Sequence, residues 1–97
     1  MQFGERIREL RESKELLQRQ LAASLEIDTP MFSKIERGDR KAKKEQVEQL
    51  ATLLETDRRP LLTLWLTDQI IDLVNTEEFA LDAVRLAEKQ LAQLDKK

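Results

Sequence analysis

The chain has 97 residues, 40% apolar and 37% charged, with 17 Lys+Arg against 19 Asp+Glu for a net charge of −2. That length holds one domain and little else, and two Gly, two Pro and 4% aromatics supply too few turn residues and aromatic or β-branched runs for a β-sandwich. With no Cys, His or Tyr, disulfides, thiolate zinc sites, cysteine nucleophiles and imidazole bases are excluded, so the composition argues against an enzyme and against a metal or cofactor. The opening MQFGERIREL is charged within its first five residues, unlike a secretory leader. No apolar run approaches the ~20 residues that cross a bilayer. A helical, cytoplasmic protein with no membrane partner and no evident small-molecule ligand is the expectation.

Phe3, Ile7 and Leu10, at i, i+4 and i+7 with Glu and Arg between them, predict an amphipathic first helix to about Lys14. A short second helix, about Gln18 to Leu25, buries Leu21, Ala22 and Leu25. Asp28, Thr29 and Pro30 announce a third, with Asp or Thr as cap and Pro in the first turn; it stops at Gly38, which suits a positive φ. Phe32 and Ile35 form its buried side; Thr29, Pro30, Ser33, Lys34 and Arg37 form its open side. Met31 falls between them and reads as packing. Val47, Leu50, Ala51 and Leu54 mark a fourth helix, and Asp57 to Pro60 start a fifth.

The fifth helix carries Leu61, Leu62, Leu64, Trp65, Leu66, Ile70, Ile71, Leu73 and Val74, too many for one stripe, so it must be covered on two sides. Asn75 to Glu78 separate it from a sixth, with Thr76 as the expected N-cap. Ala80, Val84, Ala87, Leu91 and Leu94 repeat at 4, 3, 4, 3 along this last helix, a heptad seam. The seam suits packing on the fifth helix of the same chain or on a second copy. With more apolar surface here than one small domain hides, a homodimer through Leu62, Trp65, Leu66, Ile70, Leu73, Val84 and Leu91 is favoured. Asp68/Asp72 and Glu77/Glu78 read as a solvated face and a helix-start charge cluster, not as catalytic pairs.

Charge is segregated along the chain. Residues 1–44 hold 11 basic and 8 acidic side chains; residues 45–97 hold 6 and 11. Lys34 to Lys44 alone has six basic and two acidic. Because salt screens each charge beyond about 8–10 Å, a local basic patch can bind phosphate on an acidic protein. The second and third helices with their three-residue turn form a helix-turn-helix, the unit that holds one short helix out to enter the DNA major groove. The competing reading is a helical protein–protein interaction module that uses the acidic second half.

The stretch LLQRQLAASLEIDTPMFSKIERGDRKAKKEQVEQLATLLETD resembles the Cro/C1-type (XRE-like) regulators, which include phage repressors and restriction–modification controllers. The residues that carry the resemblance are Gln18, Leu21-Ala22, Ile27, Ser33, Ile35-Glu36 and Gly38, followed by an apolar fourth helix. It implies a lambda-repressor-like helical bundle over residues 1–64, with a two-helix extension over 65–97. It also implies a transcription regulator that binds an inverted-repeat operator as a dimer, such as a restriction–modification controller or an antitoxin that represses its own operon. Thr29, Pro30, Ser33 and Lys34 then stand where such proteins read base edges. Gln18, Arg19, Arg37, Arg40, Lys41 and Lys43 stand where they meet phosphates, and Arg11 and Glu36 match an ion pair that ties the first helix to the reading helix. The chain departs from the pattern at Glu26, where relatives carry Gly, at Asp28 in place of a phosphate-touching hydroxyl, and at Ala42 in place of Pro.

Overall fold

A computed structural model describes residues 2–95, so the outer ends of the expected 1–64 and 65–97 regions lie outside the described residues. Six helices follow in order: α1 (Gln2–Ser13), α2 (Gln18–Ser24), α3 (Thr29–Arg37), α4 (Lys44–Leu53), α5 (Arg58–Val74) and α6 (Ala80–Leu94). There is no strand among the described residues, and the fold is an all-α bundle. The first helix packs against α3 and α5, α2 packs on α3, and α4 on α5. Ile7, Phe32, Val47, Leu50, Leu54 and Leu61 are fully buried where these helices meet. Burying each such side chain contributes about 1.5–3 kcal/mol, which is what holds five short helices together.

Local chemistry sets the helix ends. Asp28 Oδ1 accepts the Met31 N–H at 2.7 Å and Asp57 Oδ1 accepts the Arg59 N–H at 3.0 Å, satisfying amides that the helix itself leaves open. Gln20 and Gln46 reach back one turn to the Leu17 and Lys43 amides. Gly38, at φ 82°, closes α3 in the left-handed region. Three glutamates do the same work elsewhere: Glu15, Glu26 and Glu55 have φ of 56°, 59° and 53° after α1, α2 and α4. Behind each, an amide returns to the helix, from Leu16 to Arg11, Ile27 to Ala22 and Thr56 to Ala51. Each of these side-chain-bearing residues accepts a left-handed strain of about 1–2 kcal/mol that Gly would avoid.

Two expectations about the last helices need correction. Thr76 does not cap α6: residues 75–79 form turns, with the Glu77 amide donating to Val74 and the Ala80 amide to Glu77, so the helix starts only after Phe79, without a side-chain cap. Asp68 is not on a solvated face. It is buried, and its carboxylate accepts the Gln2 and Phe3 amides at 3.2 and 2.9 Å, so an acid from α5 caps the positive end of α1.

Candidate nucleic-acid interface

Helix α3 is positioned from behind. A Cβ built on Gly4 would lie 2.2 Å from the Glu36 carbonyl oxygen and 2.8 Å from that of Ile35, so only glycine lets α1 lie this close to the end of α3. Further along α1, Arg11 reaches the same turn. Its Nε donates to Glu36 Oε2 at 2.7 Å and its Nη2 to Oε1 at 3.1 Å, while Nη1 donates to the Leu16 carbonyl at 2.9 Å. Both side chains are buried, and the hydrogen bonds from Arg11 to Glu36 hold the guanidinium pKa above its ordinary value. The pair therefore fixes three elements at once: α1, the start of α2 and the inner face of α3.

Gln18 joins this network. Its Nε2 donates to Glu36 Oε1 at 2.9 Å, a contact the sequence did not suggest. A primary amide nitrogen carries two protons, so one bonds Glu36 and the second remains available to donate. Glu36 thus accepts from Arg11 and Gln18 and has its charge fully matched.

On its outer side, α3 exposes Thr29, Pro30, Lys34 and Arg37. Ser33 is only half-buried, not fully open, because Arg37 folds over it: Arg37 Nη1 donates to Ser33 Oγ at 2.8 Å and Nε to Asp39 Oδ2 at 3.1 Å. The Ser33 hydroxyl accepts in that bond, which leaves its own proton to donate. Arg40, Lys41 and Lys43 are exposed on the connection to α4, and Arg19 is exposed on α2.

That basic connection is anchored at its centre. Ala42 is buried, and its carbonyl accepts the Trp65 indole N–H at 2.8 Å; Lys41 Nζ also reaches Gln69 Oε1 at 3.4 Å. Trp65, Asp68 and Gly4 are the positioning residues that sequence reasoning missed. A glycine inside a strongly amphipathic helix, and an Asp among apolar residues of α5, were the available signals.

The residues read as a dimer contact divide. Leu62 and Trp65 pack on the chain's own core. Leu66, Ile70, Leu73 and Leu91 remain exposed, and Val84 is half-buried. No helix among the described residues is long and apolar enough to cross a membrane.

A helix-turn-helix held by a buried ion pair, with a polar outer face and a basic flank, is the architecture of a DNA-binding domain. A family model described as a helix-turn-helix domain matches residues 2–64, and the chain belongs to that family. No curated protein and no solved structure matches the chain.

Proposed function

We propose that this protein is a sequence-specific transcription regulator of the Cro/C1-type (XRE-like) group, acting as a homodimer on an inverted-repeat operator. The observation that carries the reading is the contrast between the two sides of α3. Its inner side is locked by Arg11, Glu36 and Gln18, while its outer side presents short polar groups and Lys34, a cation with no partner among the described residues, beside an anchored basic connection. Lys34 directs its ammonium to a guanine O6/N7 edge, the Ser33 and Thr29 hydroxyls serve either base, and Pro30 offers apolar contact to a thymine methyl. Arg19, Arg37, Arg40, Lys41 and Lys43, with the free amide proton of Gln18, meet phosphates and set register without reading sequence. Leu66, Ile70, Leu73, Val84 and Leu91 join two copies so that their recognition helices enter the major groove about 34 Å apart, or a multiple of that.

Selection of bound duplexes from a random library at moderate salt tests the reading. An inverted repeat with half-sites about 10 base pairs apart supports a dimeric regulator. A folded protein that enriches no sequence points instead to an interaction module working through α5 and α6.

A further inference from the structure

The last helix has no place in the chain's own core. None of its residues is buried, and the space between it and the end of α5 is an open apolar groove of about 590 Å³ lined by Ile70, Leu73, Val74, Val84, Ala87 and Leu91. A lone helix of this length is marginal in water, so α6 needs a surface to lie on. The whole molecule carries the same sign of incompleteness. It exposes 7330 Å² at 11.4 kDa, about 1,500 Å² more than a compact monomer of that mass. Its radius of gyration is 15.4 Å, against about 12.5 Å for a compact chain of this length. The surplus exceeds the roughly 800 Å² that each partner buries in a stable dimer.

We infer that α6 is exchanged between two copies, each laying its seam antiparallel along the outer stripe of the other's α5. The inference rests on the homodimer reading and specifies its geometry. Two features of the chain support this occupant. The stripe and the seam have matching spacing when the helices run in opposite directions: in one register Leu73 meets Ala80, Leu66 meets Ala87, Val84 falls opposite Gln69 beside Ile70, and Leu91 meets the still half-open side of Leu62, whose other side packs on its own core. The ends match in charge as well. This register brings Asp95 and the negative end of α6 to the start of α5, beside Arg59 and beside Arg58, which also pairs with Glu48 of its own chain. The same contacts could close within one chain across the turn at 75–79, but here α6 faces the end of its own α5 only across the open groove, with Leu66 and Leu73 still 52% and 78% exposed. Surface that a chain's own last helix leaves open is what a second copy's helix covers in a domain swap.

Because the chain has no Cys, single introduced thiols report without background. Sedimentation of the unmodified full chain first gives its mass. Leu66→Cys and Ala87→Cys chains are then oxidised separately and as a refolded mixture, and the double variant is oxidised alone, with helicity checked by circular dichroism. Exchange predicts a disulfide-linked dimer that forms in the mixture and in the double variant but in neither single variant, since only a Cβ pair about 4 Å apart can bridge. The pair Leu62→Cys and Leu91→Cys repeats the test if either first variant loses helicity. A dimer by mass whose double variant closes a disulfide within one chain, or whose Leu66→Cys variant links to itself, overturns the exchange and leaves the homodimer standing. A monomer by mass overturns both.

Discussion

Replacing Arg11 by Met isolates what the buried pair contributes, because Met keeps most of the aliphatic stem and removes the guanidinium. The Glu36 side chain is 3% exposed and would lose two of its three hydrogen bonds, keeping only Gln18. The Leu16 carbonyl would lose its Arg11 partner as well. Breaking one half of a buried pair costs about 3–5 kcal/mol, mostly from the charge left without a partner. A domain of this size has about 5–15 kcal/mol in all, so Arg11→Met should lower the urea midpoint by about a fifth or more, with the slope unchanged. The second substitution is the sharper test. Adding Glu36→Gln exchanges the stranded carboxylate for a neutral amide that can still bond Gln18, and should restore about 1–2 kcal/mol. Urea titration followed by circular dichroism at neutral pH measures the unmodified chain and both variants. A double variant less stable than Arg11→Met alone would refute the argument, since it would mean that Glu36 is stabilised by something other than the charge of Arg11.

Lys34→Ala should cost about 1–3 kcal/mol against the selected site and relax preference at one base pair, measured by binding to a panel of single-substituted duplexes. Arg40→Ala should weaken every duplex alike and reduce the slope of log affinity against log salt by about one. Gly4→Ala gains up to about 1 kcal/mol of helix propensity but drives a methyl into the α3 backbone, which costs about 1–3 kcal/mol or more; a lowered melting temperature is expected, and a raised one would show that α1 can slide off α3 freely. Trp65→Phe leaves the buried Ala42 carbonyl without its donor at a cost of about 1–3 kcal/mol, and should weaken binding to all duplexes by a similar factor. Altered base preference in that variant would contradict the role given to the tether.

How far the sequence carries depends on whether a feature is periodic or a single long-range contact. The core of α1 to α4 was readable because its apolar residues recur at helical spacing, and the α3 boundaries because Asp28, Pro30 and Gly38 each have a local physical reason. The Gly of relatives marks the position of Glu26 as a left-handed one, whereas nothing marks Glu15 and Glu55, since a Glu in a polar connection carries no local signal. Asp68 escaped for a related reason. Its partners are amides 65 and 66 residues away, and only the packing of α1 on α5 brings them together. Thr76 misled because the threonine-then-acid pattern is a good cap signal that the five-residue turn overrode.

The most consequential element is α5, whose two faces serve different ends. On one side Leu61, Trp65 and Asp68 complete the core, tether the basic connection and cap α1; on the other Leu66, Ile70 and Leu73 face outward. The helix is continuous from Arg58 to Val74, so a division between residues 64 and 65 falls within one rigid rod of about 25 Å. Its two faces therefore cannot move independently. Whatever covers the outer stripe is mechanically joined, through Trp65 and Ala42, to the segment proposed to grip phosphate. Association and DNA binding would then be coupled by geometry alone, each stabilising the arrangement that the other requires.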